Sequence, residues 1–165
     1  KGVLGHRDAV IDGVTADVKS ASSIGFKKFQ MGLTASEDSF GYLTQLGSYV
    51  HSGKDDPLVA NKTEGFFLVV DKQYGNICID RHSFAKADFD GLYERKIAVS
   101  QSERTPQRAY DDKPFGKSGN RTLDTECRYC QFKYTCWPDI QTYQYSNGPV
   151  DLTEVIKTPD VPRIR

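Results

Sequence analysis

Three aspartates, a lysine and a histidine lie in one short stretch, GHRDAVIDGVTADVKS, at residues 5–20. The Asp-Gly pair at its centre predicts a β-hairpin, because both residues tolerate the positive φ that a two-residue turn requires. With that turn, the numbers of cross-strand partners add up to 25, so Asp8 lies opposite Asp17 and His6 opposite Lys19. Side chains alternate between the faces of a strand, so we expect all four on one face.

This register sets two like charges side by side, which destabilises a sheet by roughly 0.2–1 kcal/mol. A Mg²⁺ ion would offset the repulsion, because it prefers carboxylate oxygen and is held by one or two carboxylates, water and substrate phosphate. Lys19 would then hold a water that attacks phosphorus, or neutralise charge that develops in the transition state. The alternative is a solvated polar face on which Lys19 balances Asp8 and Asp17.

The other face of the hairpin is apolar, and we expect it to face the core. Its residues are Ala9, Ile11, Val14, Ala16 and Val18. A second hairpin is predicted with strands at 65–71 and 77–82, on either side of KQYGN. Between the hairpins, Thr34 to Glu37, or Ser36, can cap a helix that runs to about Gly53. Helical spacing predicts another helix after the second hairpin, followed by a polar loop at 105–120 and a strand at 141–145.

The composition predicts one domain over residues 1–165, with an ordinary hydrophobic core. The formal net charge of zero argues against a generally basic protein that coats nucleic acid. No apolar run approaches the roughly 20 residues of a membrane span, and no signal-like region opens the chain. We therefore expect a cytoplasmic protein with no membrane partner.

Three of the four cysteines lie close together, in CRYCQFKYTC within residues 120–140. The spacing of Cys127, Cys130 and Cys136 is more typical of a metal or cluster site than of a secreted disulfide scaffold. Three sulfurs and a histidine such as His82 would make an acceptable Zn²⁺ site, and a disulfide within the triplet is the remaining alternative. Cys78 lies in an apolar alternation and is interpreted as a small buried hydrophobe.

The hairpin motifs Gly5-His6-Arg7-Asp8 and Asp17-Val18-Lys19 resemble motifs II and III of the PD-(D/E)xK nuclease superfamily, in its RecB-like exonuclease branch. Gln45 and Tyr49 in TQLGSYVH resemble the QxxxY motif of that branch, and their i, i+4 spacing places both on one face of a helix. The resemblance implies that Asp8 and Asp17 bind Mg²⁺ or Mn²⁺, with the Val18 carbonyl as a further ligand. It also implies that Lys19 is the catalytic lysine, supported by Gln45 and Tyr49.

The cysteine triplet, followed by Trp137-Pro138, resembles the one in RecB-like nucleases that carry a [4Fe–4S] cluster, such as CRISPR-associated adaptation nucleases and AddB-type nuclease domains. The phrases FGKSGNRTL and TYQYSNGPVDLTEV are similar to phage-encoded members. In this family a helix with motif I and a fourth cysteine precede the hairpin, and we expect both to lie outside the chain printed here. His6, Arg128 and Lys133 are candidate DNA contacts, whereas Trp137 and Phe132 are expected to pack.

These features together predict a restriction-endonuclease-like α/β core, with a central mixed β-sheet flanked by helices and a C-terminal cysteine-containing segment. The resemblance implies a metal-dependent DNA exonuclease, phage-encoded and acting in the host cytoplasm in recombination, repair or genome processing. Its partners would be DNA and proteins of recombination or replication. The alternative is a non-catalytic, metal-stapled module on the same fold that binds DNA or docks to a protein.

Overall fold

The computed structural model describes residues 5–104 and 106–165. The chain divides into two compact units, Lys1–Ser102 and Glu103–Arg165. Each unit has its own four-stranded sheet. Within the described residues, no helix has the length and apolar character needed to cross a membrane. The assignment of 1–165 to a single domain stays a prediction.

The first unit is a mixed four-stranded sheet with three helices. Its elements are β1 (Ala9–Ile11), β2 (Val14–Ala21), α1 (Ser23–Gln30), α2 (Tyr42–Ser52), β3 (Glu64–Asp71), β4 (Ile77–Ser83) and α3 (Phe89–Ser100). The strand order is β1-β2-β3-β4, with β2 and β3 parallel and the two outer pairs antiparallel. The predicted α/β class and mixed sheet are therefore confirmed.

The first hairpin has the predicted register. Ala9 pairs with Ala16 and Ile11 with Val14, around a turn in which Asp12 has a φ of 50° and Gly13 a φ of 76°. Positive φ at both positions is the conformation that favours Asp-Gly in such turns. The Asp-Gly pair thus fixes the register that orients the charged residues.

The core lies mainly on the face that carries the charged residues. Asp17 pairs across the parallel ladder with Phe67, and Lys19 pairs with Val69. Phe67 and Val69 are fully buried in a hydrophobic cluster. Helix α1 contributes Phe26 and Phe29 to it, α2 contributes Leu46, and Leu33 comes from the segment between the two helices. Helices that connect parallel strands must pack on a face of the sheet, and here they pack on the face of Asp17.

The expectation that the other face of the hairpin forms the core is therefore wrong for two of its residues. Val18 is 44% exposed and Ile11 is 38% exposed, although Ala16 is fully buried. Alternation separates the two faces of a strand but does not say which one the connecting helices will cover. That choice follows from β3, in which the aromatic Phe67 and the aliphatic Val69 lie on the same face as Asp17.

The connection between β2 and β3 contains two helices, of which the sequence predicts only the second. Ser22 caps the unpredicted α1, since its hydroxyl accepts a hydrogen bond from the Gly25 amide at 3.3 Å. Helix α2 begins at Tyr42 rather than near Ser36, because the Asp38 carboxylate accepts hydrogen bonds from the first two amides of the helix. The Thr34 hydroxyl does donate to Glu37, at 2.7 Å, but within a turn that precedes the helix.

Helices α2 and α3 meet at a glycine. A Cβ atom on Gly47 would lie 2.2 Å from Phe89 Cζ and 2.8 Å from Phe84 Cδ1. Gly47 and Phe89 are both buried, and the two phenylalanine rings contact each other at a centroid distance of 6.0 Å. The absence of a side chain at Gly47 is therefore what lets these aromatic rings pack against α2.

The second unit is built on an antiparallel sheet in the order β5-β6-β8-β7. Its elements are β5 (Lys113–Pro114), β6 (Arg121–Thr122), α4 (Thr125–Arg128), α5 (Lys133–Cys136), β7 (Gln141–Tyr145) and β8 (Gly148–Glu154). Strand β7 has the predicted bounds. Strand β8 is not predicted, and β5 lies inside the predicted loop. Leu123, Ile140, Tyr143 and Leu152 are the buried apolar residues of this unit.

A buried asparagine ties the end of the second unit to its start. Asn120 is 3% exposed, and its side-chain oxygen accepts hydrogen bonds from the Ile156 and Lys157 amides at 2.8 and 2.9 Å. Its Nδ2 donates to the Lys157 carbonyl at 2.8 Å. A buried amide whose donors and acceptor are matched in this way holds a specific geometry.

Replacement of Gly47 by alanine should destabilise the protein by about 1–3 kcal/mol, because the new methyl group overpacks the contact with Phe84 and Phe89. Gly25→Ala is the matched control: it is also a helical glycine, but its Cβ would meet Ala21 at an ordinary 3.4 Å. The free energy of unfolding of that variant should rise by about 0.5–1 kcal/mol, because alanine has a higher helix propensity than glycine. Urea unfolding of both variants measures the difference, and equal stabilities would contradict this description of the α2–α3 contact.

Candidate functional site

Asp8 reaches across the first hairpin to the second strand. Its Oδ2 accepts a hydrogen bond from the Val18 amide at 2.8 Å. Asp8 is exposed, whereas the neighbouring Asp17 is only 3% exposed. The hairpin therefore holds one carboxylate at the surface and a second one that is buried.

Lys19 is held by three groups of the same face. Its Nζ lies 2.5 Å from Asp17 Oδ2 and donates a hydrogen bond to Gln45 Oε1 at 2.9 Å. The ammonium also lies 4.8 Å from the centre of the Tyr42 ring, within the range of a cation–π contact. Only 19% of the Lys19 side chain is exposed. Because of these contacts, the ammonium group has a defined position.

Helix α2 supplies the second half of the site. Gln45 and Tyr49 are one turn apart, and Gln45 Nε2 donates to the Tyr49 hydroxyl at 3.4 Å. The Tyr49 ring packs so closely on Gly5 that a Cβ there would lie 3.0 Å from Tyr49 Cε1. The structure thus brings the sequence-predicted residues Asp8, Asp17, Lys19, Gln45 and Tyr49 into one connected group.

The electrostatics of this group favour a cation. Burial is the largest influence on Asp17 and raises the pKa of its carboxyl above the ordinary 3.8, and the charge of Asp8 raises it further, while Lys19 lowers it. Asp17 Oδ2 is buried and lies 2.5 Å from the Lys19 ammonium, with which it forms an ion pair. A buried carboxylate and a second carboxylate beside it are a suitable pair of ligands for a hard cation.

The donor set at the hairpin is small. Among residues 5–104 and 106–165, no three His, Cys, Asp or Glu side chains are grouped as metal ligands. Two carboxylates are nevertheless enough for Mg²⁺, which commonly keeps several waters and binds through one or two carboxylates and substrate phosphate. The residues present therefore fit such an ion, with Asp8 and Asp17 as ligands and the carbonyl of Val18, the residue after Asp17, as a further one.

Two clefts of the first unit adjoin this group. The larger, of about 610 Å³, lies between α2 and α3 and includes Gln45 and Tyr49 in its lining, along with His51 and Lys96. The smaller, of about 330 Å³, is lined by Tyr49, His6, Arg7 and Asp56 among others. Both clefts border Tyr49, so substrate has space beside the predicted catalytic group.

The exposed His6 lies before β1 and lines the smaller cleft. Its predicted role in DNA contact stays a prediction. The adjacent Arg7 is a residue that sequence reasoning missed: its guanidinium pairs with Asp56, beyond the end of α2. A hydrogen bond from the Leu58 amide is the largest influence on Asp56, and together with the Arg7 guanidinium it lowers the pKa of that carboxyl.

Two residues around the site, Tyr42 and Arg7, are only weakly indicated by the sequence. Tyr42, which contacts the Lys19 ammonium, is not among the residues that the sequence motifs single out. Arg7 lies between His6 and Asp8, where alternation points it away from the charged face. An aromatic residue one turn before Gln45 is the pattern that could have indicated the contact of Tyr42 with Lys19.

The three clustered cysteines lie around the two short helices of the second unit. Cys127 is in α4, Cys136 ends α5, and Cys130 lies between them. All three are free thiols, each partly buried. Burial raises the pKa of the Cys127 thiol, and negative charge on Cys130 or Cys136 raises it further. Within the described residues, the three side chains are not grouped as ligands of one metal ion. A cluster or zinc ion at this triplet stays a prediction.

The other cysteine and the histidine suggested as a zinc ligand belong to the first unit. Cys78, on β4, is partly buried and packs against the hydrophobic core, as its sequence interpretation predicts. His82 Nε2 lies 2.9 Å from Asp80 Oδ2, a contact without hydrogen-bond geometry. Asp80 in turn accepts a hydrogen bond from the Leu33 amide at 2.9 Å, so His82 is next to a structural carboxylate.

The basic and aromatic residues of the cysteine segment have different surroundings. Lys133 Nζ lies 2.6 Å from Asp151 Oδ2, so an acidic partner already balances its charge, while Arg128 is exposed. Trp137 packs under the Arg108 guanidinium, 3.9 Å from the ring centre. Phe132 is 60% exposed, so the prediction that it packs is wrong. A hydrophobic residue in so small a segment has few partners, because helices α4 and α5 have only four residues each.

Replacement of Asp17 by asparagine should stabilise the metal-free protein at neutral pH, because burial disfavours the charge of Asp17 by more than the ion pair with Lys19 stabilises it. The raised pKa of Asp17 means that the folded state binds a proton more tightly than the unfolded state. Wild-type stability relative to Asp17→Asn should therefore rise as the pH falls through that raised pKa.

Thermal melting of both proteins in a chelating buffer, from neutral pH down to about pH 4, measures the difference. The melting temperature of Asp17→Asn should exceed that of the wild type at neutral pH, and the gap should close on acidification. Asp139→Asn, at an exposed position, is the matched control and should show no such pH-dependent gap. A gap that is constant with pH would contradict a buried, proton-binding Asp17.

Comparison with known proteins does not assign this chain to a family. No model of a protein family matches it, no curated protein matches it significantly, and no solved structure matches it significantly. A function for the protein therefore has to rest on its own residues and their geometry.

Proposed function

We propose that this protein is a metal-dependent deoxyribonuclease of the PD-(D/E)xK type, an exonuclease with a restriction-endonuclease-like core. The observation that carries the proposal is the connected group of Asp8, Asp17, Lys19, Gln45 and Tyr49, assembled from the hairpin and from α2. Two acidic groups and a fixed ammonium beside an open cleft are what hydrolysis of a phosphodiester requires. A solvated polar face does not account for the burial of Asp17.

Asp8 and Asp17 would hold Mg²⁺ or Mn²⁺, with the Val18 carbonyl as a further ligand. When bound, the ion would act as a Lewis acid toward a phosphoryl oxygen and make a bound water more acidic. Asp8 keeps one oxygen on the Val18 amide, which orients its carboxylate toward Asp17. The hairpin thus presents the two carboxylates in a geometry set by its backbone.

Lys19 supplies positive charge where negative charge develops on the phosphate. The hydrogen bond that it donates to Gln45 keeps its ammonium in place, so little reorganisation is needed during the reaction. Its ion pair with Asp17 holds the ammonium beside the carboxylates, a position that suits electrostatic stabilisation and the orientation of water. We therefore assign Lys19 to the transition state rather than to substrate binding alone.

Gln45 and Tyr49 are positioning residues in this proposal. Gln45 accepts from Lys19 and donates to Tyr49, so it connects the ammonium to the lining of both clefts. The Tyr49 hydroxyl lies at the outer end of this connection, where it can donate to a DNA phosphate. Without Gln45, the Lys19 ammonium would be able to take more orientations.

The resemblance supports three further parts of the proposal. Cys127, Cys130 and Cys136 would supply thiolate ligands to a [4Fe–4S] cluster or Zn²⁺, with a structural rather than a chemical role. The enzyme would be phage-encoded and act in the host cytoplasm, in recombination, repair or genome processing. Proteins of recombination or replication would be its partners.

Alanine at Asp8, Asp17 or Lys19 should lower the rate of DNA cleavage by at least about 100-fold, because each removes charge stabilisation that the transition state requires. Release of nucleotides from linear DNA in Mg²⁺ or Mn²⁺ is the measurement, and a chelator should abolish it. Lys72→Ala and Asp139→Ala remove a matched charge from exposed positions and should cleave like the wild type.

Cleavage that survives in Asp8→Ala and Asp17→Ala would rule out this site. DNA binding without cleavage in Mn²⁺, in a protein whose iron and zinc content has been verified, would favour the non-catalytic DNA-binding module instead.

Metal binding at the hairpin can be measured without activity. Mn²⁺ should raise the melting temperature of the wild type, because a ligand that binds only the folded state adds about 2.7 kcal/mol at 100 times its Kd. Asp17→Asn should show a much smaller rise, and Asp139→Asn should respond like the wild type. An equal rise in Asp17→Asn would place the ion elsewhere in the chain.

A further inference from the structure

The second unit contains a cleft of about 620 Å³ that the proposed reaction does not use. It lies beside the cysteine segment, and its lining combines aromatic and charged side chains. The residues that matter here are Arg128, Tyr129, Lys133, Tyr134, Asp151 and Arg165. A cleft of mixed aromatic and basic character is typical of nucleic-acid contact rather than of a core.

Two tyrosines give the cleft its flat surfaces. Tyr129 is 75% exposed, so most of its ring is accessible to a ligand. The Tyr134 ring is covered by the Arg165 guanidinium, whose central carbon lies 3.5 Å from the ring centre. A guanidinium stacked in this way has a fixed plane and keeps donors free for phosphate. The cleft thus has one largely exposed tyrosine and one tyrosine whose ring is capped by arginine.

The charges of the cleft divide into a neutral and a positive part. Lys133 and Asp151 form an ion pair at 2.6 Å, and Thr142 donates to the other Asp151 oxygen at 2.7 Å. This acidic group is therefore satisfied within the protein. Arg128 and Arg165 are both exposed, and they leave the cleft with a positive rim. The arginines, rather than Lys133, are the residues available to an anion.

We propose that this cleft binds single-stranded DNA, with a base stacked on Tyr129 and neighbouring phosphates on Arg128 and Arg165. The inference rests on the proposed function in taking DNA as the ligand. An exposed aromatic face favours a single strand, because only unpaired bases offer their own faces for stacking. The cleft would hold a strand independently of chemistry at Asp17. It adds Arg165 and Tyr129 to the expected contact at Arg128, and the contact expected from Lys133 stays a prediction.

Fluorescence anisotropy of a labelled oligothymidylate of about 15 nucleotides tests the proposal. All proteins carry Asp17→Asn and are kept in a chelator, so that no cleavage occurs. Tyr129→Ala should weaken binding roughly 5- to 100-fold, the range measured for loss of one stacked base, and Tyr129→Phe should bind like the parent. Arg128→Ala and Arg165→Ala should each lower the slope of log K against log salt concentration by about 0.7.

Tyr110→Ala and Lys117→Ala are the matched controls, since both residues are exposed in the same unit and outside the lining of the cleft. Binding unchanged in Tyr129→Ala would overturn the proposal, and so would an equal loss in Tyr110→Ala. A duplex of the same length that binds as tightly, with no sensitivity to Tyr129, would also overturn it. Circular dichroism shows whether each variant is folded.

The two proposals fail in different assays. If Tyr129→Ala weakens binding while cleavage survives Asp17→Ala, the cleft stands and the catalytic site falls. If cleavage depends on Asp17 but binding ignores Tyr129, Arg128 and Arg165, the nuclease stands and this cleft does not hold its substrate.

Discussion

The burial of Asp17 is the constraint on which the arrangement of the first unit depends. A carboxylate that is 3% exposed must have a positive partner close by, and Lys19 provides it from the same face of the same strand. The Lys19 ammonium in turn needs a hydrogen-bond acceptor, and Gln45 Oε1 on α2 supplies one. One buried charge therefore dictates which residues of β2 and α2 must lie next to each other.

The close approach of α2 to the sheet makes that arrangement attainable. Gly65 on β3 lies beneath α2, and a Cβ there would come within 2.8 Å of Val50 and 2.9 Å of Leu46. The helix can therefore lie nearer to the sheet than a larger residue would allow. Gln45 is adjacent to Leu46 in the helix, so the same approach brings its amide within reach of the Lys19 ammonium. Packing and polar contacts are determined together here.

Sequence patterns predicted the parts of this fold that are set locally. The Asp12-Gly13 turn fixes the hairpin register by itself, and the alternating strands at 64–71 and 77–83 were found within about one residue. Helix α1 was missed because Ser23 to Gln30 mixes two buried phenylalanines with glycine and lysines. The start of α2 depends on Asp38, three residues before the N-cap Gly41, and simple capping patterns do not include it.

The candidate site was predicted better than the layers around it. Spacing and resemblance indicated five residues that the structure brings together, because a turn and a helical repeat determine their relative positions. Which face of the sheet the helices cover is set by tertiary packing, which local patterns do not show. Val18 and Ile11 were therefore expected in the core, but both are exposed. The sheet of the second unit was also missed, since strands of two residues carry almost no periodic signal.

The parallel pairing of β2 with β3 has a consequence for how the site assembles. Parallel strands require a long crossover, and here the crossover itself carries α2 with Gln45 and Tyr49. The hairpin with Asp8, Asp17 and Lys19 can form from local contacts, whereas its helical half arrives only when the loop from β2 to β3 has closed. Any local opening of α2 would separate the two halves and leave Lys19 with Asp17 but without Gln45. The complete site therefore depends on the non-local pairing of β2 with β3.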